Sequence, residues 1–176
     1  MTSHPFHVVI TDTPLDLMEA QSFVANPTFG AITSFVGVVR NHNEGRAAEA
    51  VTYDVHEVLA RKALKDLCEE ALKMAAGQAR VYIAHAQGRL EVGEASVIIA
   101  VGTPHRKKSF ELCEFMIDRL KEKAPIWKNE HYVEGDDAWL TGTPLQNKKE
   151  PVSFWRAVDL PAWVRTKRCC LFRADP

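Results

Sequence analysis

The chain has 176 residues, 46% of them hydrophobic and 26% charged, with a formal charge of -1. That length supports one domain with its own core rather than two large ones, and the composition is that of an ordinary soluble globular protein. The near-zero charge argues against a strongly basic polyanion binder, and no stretch approaches the roughly 18 uninterrupted apolar residues of a membrane-spanning helix.

The N-terminus, MTSHPFHVVI, lacks a basic region leading into a long apolar run, so a cytoplasmic protein without a secretory signal is expected. Residues 6–10 read as a short strand. Residues 14–25 read as a helix, with Pro14 near its start, Leu17, Ala20 and Val24 at helical spacing, and Asn26 and Pro27 ending it. The Val-, Ile- and Phe-rich stretch 31–40 is a strand running into the polar segment NHNEGR. With the strand at 50–56 it is expected to form an antiparallel pair around a mobile polar loop.

Residues 59–75 form the clearest helix, with an apolar stripe of Leu59, Ala63, Leu67, Ala71 and Met74. Strands follow at 80–88 and 94–102, separated by a turn containing Gly88 and Gly93. A long helix from about 104 to 123 carries Phe110, Cys113, Ile117 and Leu120 on its apolar side and stops before Pro125.

Beyond residue 135 the periodicity decays. We therefore divide the chain into a domain at 1–140 and an irregular extension at 141–176 that packs on the domain or on a partner subunit. Residues 142–176 carry Lys148, Lys149, Arg156, Arg165, Lys167, Arg168 and Arg173 against Glu150, Asp159 and Asp175. That excess is too small to specify nucleic acid. The element order, helix, two strands, helix, two strands, helix after a first strand, points to an α+β fold rather than a doubly wound parallel sheet.

The sharpest physical signal is GTPHRKKSF at 102–110. Thr103 is expected as the N-cap and Pro104 as the first helical residue, which sets His105 and Arg106 in the first turn. Cations are unfavourable there unless an anion shares the free backbone N–H groups, so the pair marks a candidate phosphate site; a solvated basic turn is the plainer alternative. Lys121 follows Ile117 by four residues and so is expected near the buried face, and Lys128 lies beside Ile126 and Trp127 in KAPIWKNE. A lysine held against apolar groups can serve as proton acceptor or nucleophile, whereas a snorkelling stem is the ordinary alternative for either. Arg40, at the end of a strand beside a glycine-containing loop, and His42 within that loop can reach a ligand, a solvated edge residue being the ordinary alternative for each. His85 reads as a structural histidine.

Cys68 and Cys113 sit among apolar neighbours and read as buried thiols; Cys169 and Cys170 support no redox assignment. No cysteine or histidine cluster has metal-site spacing, and there is no Ser-His-Asp order, P-loop or dinucleotide fingerprint.

Together SFVGVVRNHNEG (34–45), GRLEVGEASVIIAVGTPHRKKSFELCEFMIDRLKEKAPIWKNE (88–130) and the Tyr53 strand with helix 59–75 resemble the molybdopterin synthase catalytic (large) subunit family, over about residues 6–140. The resemblance implies an α/β hammerhead-like fold with antiparallel sheets and a central homodimer. It also implies a small ubiquitin-like sulfur-carrier subunit at each end, inserting a C-terminal Gly-Gly thiocarboxylate. The implied substrate is cyclic pyranopterin monophosphate, on which two sulfur transfers build the molybdopterin dithiolene with no metal or organic cofactor.

By motif, Lys121 matches the essential lysine of LKxxxPIWK and Lys128 the second pocket lysine. His105 and Arg106 match the HR pair, and Arg40 matches the arginine ending FVGxVR. The residues leave open which lysine acts as acid/base or nucleophile. Two departures stand out. His85-Ala86-Gln87-Gly88 occupies the place of an HRxG run, and the tail offers only Lys148, Lys149 and Arg156 for a basic residue that the family brings from the neighbouring subunit.

A second expectation is a non-catalytic scaffold or regulatory protein of the same fold that keeps carrier or anion binding. An RNA-binding module fits poorly, because the strands offer only Phe6, Phe35, Tyr53 and Tyr82 for stacking.

Overall fold

A computed structural model describes residues 4–134 and 137–140, all within one compact unit, Met1–Leu145. The extension expected at 141–176, with its basic residues and Cys169 and Cys170, lies outside the described residues.

The first sheet has the order β1-β5-β7-β2, built from β1 (Phe6–Thr11), β2 (Ala31–Val38), β5 (Arg80–Ala86) and β7 (Ala95–Thr103). β1 runs parallel to β5, and the other two pairings are antiparallel. β5 and β7 are buried along nearly their whole length because helices cover both faces. On one face α2 (Glu57–Met74) and α3 (Arg106–Lys123) pack on Val81, Ile83, Val97, Ile99 and Val101. On the other, Ala20 and Val24 of α1 (Leu17–Val24) meet Tyr82, Ala84, Ile98 and Ala100. The alternation of partners along each strand is the period of two expected of a sheet.

α1 begins at Asp16, whose carboxylate accepts from the Met18 N–H at 2.7 Å, a side-chain N-cap. The helix lies so close to the sheet that a Cβ on Gly102 would stand 2.3 Å from the Val24 carbonyl oxygen. Glycine is required there by space.

The second sheet holds β3 (His42–Asn43), β4 (Arg46–Val55), β6 (Gly88–Glu91), β8 (Ile126–Tyr132) and β9 (Ala138–Leu140). β8 and β9 follow β4 in that order on one side, while β3 and β6 pair with β4 as well. Val39, Val51, Ala86 and Leu90 form a small cluster where the two sheets meet.

Several expectations are corrected. β2 and β4 do not pair with each other: β2 joins β7 in the first sheet and β4 joins β8 in the second. The polar segment between them is a tight hairpin, β3–β4, turned by Glu44 (φ 49°) and Gly45 (φ 80°). Four residues of the expected turn at 88–94 are strand β6, and β8 and β9 lie where no strand was expected. In α2 the buried face is Ala60, Leu64, Leu67, Cys68 and Ala71; Leu59 and Met74 are exposed. In α3 the buried face includes Ser109, Leu112 and Met116, while Phe110 faces solvent. A fully apolar stripe was not needed for α3, because the buried Ser109 hydroxyl donates to the Val101 carbonyl at 3.0 Å.

Candidate active site

The hairpin and β8 build the most structured polar cluster among the described residues. β2 ends at Val38, and Val39 pins the chain by donating to the Glu94 carbonyl at 2.9 Å and accepting from Gly93 N–H at 2.8 Å. Arg40 follows, exposed. The hairpin then sets Asn43 opposite Arg46 across the ladder.

On β8 the inward positions are Lys128, Glu130 and Tyr132, and Trp127 turns outward. Glu130 is only 2% exposed and is paired to Lys128 Nζ, whose side chain is 33% exposed. The Tyr132 hydroxyl donates to the second carboxylate oxygen at 2.5 Å. Burial pushes the Glu130 pKa up, but the hydrogen bonds from Lys128 and Tyr132 outweigh it and hold the carboxyl below its ordinary value. A charge buried this deeply is tolerated because every side of it is answered.

Arg40 Nη2 lies 3.5 Å from Asn43 Oδ1 in the adjoining hairpin. The Arg46 guanidinium lies 3.5 Å from the centre of the Tyr132 ring, and its Nη2 donates to the Glu134 carbonyl at 3.1 Å. Tyr53 stands opposite Lys128 in the β4–β8 ladder and packs edge-on against His85 at 5.1 Å. His85 is the structural histidine expected: it is buried, hydrogen-bonded to the Ala86 carbonyl at 2.7 Å, and held by burial below its ordinary pKa.

Lys121 sits in the last turn of α3, just before the Ala124–Pro125 turn into β8. It is exposed, which corrects the expectation that it lies near the buried face. Ile117 and Leu120 take that face. Its neighbours are paired, Arg119 with Glu122 at 2.8 Å and Lys123 with Glu70 at 2.9 Å. Lys121 has no such partner among the described residues.

His105 and Arg106 stand at the opposite end of α3. The helix begins later than expected, with His105 as N-cap and Arg106 as the first residue; the buried Thr103 hydroxyl instead donates to the His105 carbonyl at 3.0 Å. No acidic residue occupies the first turn and no side chain caps it, so its N–H groups remain open to an anion. Fifteen residues of helix put Arg106 roughly 22 Å from Lys121. The structure thus sets Lys128 on Glu130 and Arg40 beside Asn43, puts Lys121 in the last helical turn before Lys128's strand, and separates Lys121 from His105 and Arg106 by the length of α3.

Cys68 and Cys113 are buried, and burial pushes their thiols up to about 12 and about 11. Neither is a poised nucleophile. Among the described residues no group of three or more His, Cys, Asp or Glu side chains could hold a metal ion, and no helix is long and apolar enough to cross a membrane.

Asn43, Arg46, Glu130 and Tyr132 were not among the site residues expected from sequence. A signal existed: K-x-E at 128–130 has the spacing of two side chains on one face of a strand. It is legible only once 126–132 is known to be a strand.

Comparison with known proteins follows the same outline. The family model described as MoaE protein matches residues 10–123. A molybdopterin synthase catalytic subunit from Synechococcus elongatus is 37% identical over 145 residues, covering 82% of this chain and 88% of that protein. One from a Nostoc species is 36% identical over 132 residues, covering 75% and 80%. The X-ray structure of molybdopterin synthase from Staphylococcus aureus superposes with a TM-score of 0.71 at 31% identity, covering 79% of this chain and 98% of that one.

Proposed function

Because the chain belongs to the MoaE protein family, we propose that it is a molybdopterin synthase catalytic subunit, transferring sulfur from a carrier's C-terminal thiocarboxylate to cyclic pyranopterin monophosphate. The carrier is a small ubiquitin-like subunit ending in Gly-Gly. Each transfer replaces a C–O bond of the pterin side chain by a C–S bond, the displaced oxygen leaving as water or remaining on the phosphate as its ring opens, and breaks the carrier's acyl C–S bond. Water supplies the oxygen that leaves the carrier as a carboxylate. Two transfers complete the molybdopterin dithiolene.

The observation that carries this reading is the anchoring of Lys128 on the buried carboxylate of Glu130, in the strand that follows the last turn of α3, which bears Lys121. Lys128, anchored by Glu130, is a fixed cation suited to hold an anionic group and to steady the oxyanion that develops as the acyl–sulfur bond breaks. Lys121, unpaired among the described residues, is the amine free to act as acid/base or transient nucleophile. Arg40 binds the substrate phosphate or the carrier's carboxyl end. The buried thiols of Cys68 and Cys113 favour a path in which sulfur stays on the carrier until it reaches the substrate.

His105 and Arg106 are a second anion-binding group. Their distance from Lys121 along α3 supports a homodimer in which each copy lends this helix start to its neighbour's pocket. Ala86, where the family has an arginine, is 1% exposed and packs with Val51 and Leu90. It fills an apolar position, so this departure does not favour a non-catalytic scaffold.

The test is conversion of cyclic pyranopterin monophosphate by the purified chain with a thiocarboxylated carrier, alongside Lys121→Ala. Product from the native chain and its loss in the variant are expected. No product despite demonstrable carrier binding would overturn the catalytic reading.

A further inference from the structure

Tyr132 takes no part in the reaction as outlined, yet its hydroxyl occupies the side of the Glu130 carboxylate that Lys128 leaves. Oε2 accepts from Tyr132 at 2.5 Å while Oε1 takes the Lys128 ammonium. The Tyr132 ring is held in turn by Arg46. That guanidinium lies 3.5 Å from the ring centre and is anchored by its own bond to the Glu134 carbonyl at 3.1 Å. We propose that Tyr132, clamped by Arg46, is a positioning residue for the sulfur-transfer site: its hydroxyl fixes the plane of the Glu130 carboxylate and through it the place of the Lys128 ammonium. The proposal rests on the sulfur-transfer reading for what Lys128 does; the geometric claim stands apart from it.

The need follows from the side chains involved. The last torsion of a glutamate is broad rather than staggered, so a lysine paired with a lone carboxylate is tethered but not placed. A donor on the second oxygen sets the plane, and the buried Tyr132 phenol is a stiff donor because its ring is already packed. Sharing the carboxylate in this way also keeps the other N–H groups of Lys128 for an anion at the site. The hairpin prepares the clamp. Ala48 stands opposite Tyr132 in the β4–β8 ladder, and its small side chain leaves the ring to Arg46, two residues earlier on the same face of β4. The Val133 N–H donates to the Ala47 carbonyl at 3.0 Å and ties the end of β8 to this stretch. Arg46 is itself exposed, so its substitution leaves the core intact.

The test compares the native chain with Tyr132→Phe, Arg46→Ala and the double variant, at saturating carrier and varied pterin substrate. Phenylalanine keeps the ring beneath Arg46 and removes only the donor. Tyr132→Phe should lower kcat about tenfold with KM within about twofold, a part of the roughly 10²–10³ that a missing oxyanion donor costs. Arg46→Ala should lower kcat about threefold, and by less than about 1.5-fold once the hydroxyl is gone, because it acts through that group. Burial disfavours the charged Glu130, and the bonds from Lys128 and Tyr132 oppose that effect. The acid limb of kcat/KM should therefore move to higher pH in Tyr132→Phe. A merely structural role would scale kcat at every pH by the folded fraction, leave the limb in place, and let the two effects multiply.

If the native chain yields no product, the functional reading fails, and the geometry is judged alone. The titration of the Glu130 carboxyl is then followed by carbon-13 NMR, with Glu130→Gln identifying the signal. Its midpoint should rise in Tyr132→Phe and, by less, in Arg46→Ala, which carries the test should Tyr132→Phe not fold. Effects that simply multiply, an acid limb that coincides with the native one, or an unmoved midpoint overturns the proposal.

Discussion

Removing Lys128 alone should destabilise the fold more than removing Lys128 and the charge of Glu130 together. Breaking a fully buried ion pair on one side costs about 3–5 kcal/mol, because the remaining charge is stranded. Here the carboxylate is 2% exposed but the lysine is 33% exposed. Water can follow into the lysine's place, and Tyr132 still donates to the acid. The expected cost of Lys128→Met therefore falls to about 1–2 kcal/mol. Lys128→Met with Glu130→Gln should lie within about 1 kcal/mol of native, since the neutral amide keeps an acceptor for Tyr132. Urea unfolding followed by circular dichroism measures the cycle, and each kcal/mol should appear as a Tm shift of about 2–4 °C.

The pH dependence gives an independent reading of the same pair. The Glu130 carboxyl sits below its ordinary value in the folded state. Its contribution is thus fully present above the unfolded value of about 4.3 and is lost as pH falls through the lower folded value. Glu130→Gln should flatten that acid limb. Additive single changes with an unaltered acid limb would refute the reasoning.

Gly102→Ala should cost about 3 kcal/mol, because the new Cβ would meet the Val24 carbonyl at 2.3 Å; a Tm within 2 °C of native, as for an ordinary surface change, would contradict it. Lys121→Ala should abolish product while leaving Tm within about 2 °C, as its side chain is exposed and unpaired among the described residues. Cys68 and Cys113 should resist iodoacetamide at pH 8 in the folded protein and react in urea, given thiols pushed up to about 12 and about 11. Rapid labelling of either in the native chain would show that the packing of α2 and α3 opens more readily than described.

The first sheet and its helices were legible in the sequence because their side chains obey a simple period. Leu67 and Ala71 mark one face of α2, and the continuous apolar runs of β5 and β7 mark strands buried on both sides. Partner choice was not legible. Proximity in sequence suggested β2 with β4, but β2 carries Phe35 into the main core, and that requires β7 beside it. β8 was hidden for the opposite reason: its inward positions are Lys128, Glu130 and Tyr132, so the polar pattern of a loop conceals a strand. Of the site, Arg40, Lys121, Lys128, His105 and Arg106 could be named from motif. Asn43, Glu130, Tyr132 and Arg46 could not, because their meeting depends on cross-strand register between segments some 85 residues apart.

That register explains how a strand with a polar inner face holds its place. Tyr53 stands opposite Lys128 and Val51 opposite Glu130, so the polar residues of β8 share a face with the cluster of Val39, Val51, Ala86 and Leu90. A slip of one residue would turn Trp127, Asn129 and His131 inward and carry Glu130, together with Lys128 and Tyr132, to the outer face, away from Arg46. His131 would also lose Thr52 Oγ1, 2.7 Å from its Nε2 on the outer face. Apolar pattern alone would not choose between the two registers, since the slipped one buries a tryptophan. The cross-strand contacts do choose, because only one register brings the Tyr132 ring beneath Arg46 and His131 to Thr52. The alignment that keeps Tyr132 beneath Arg46 is therefore the one that sets Lys128 and Glu130 on the inner face, and changes at Arg46 should be felt in both.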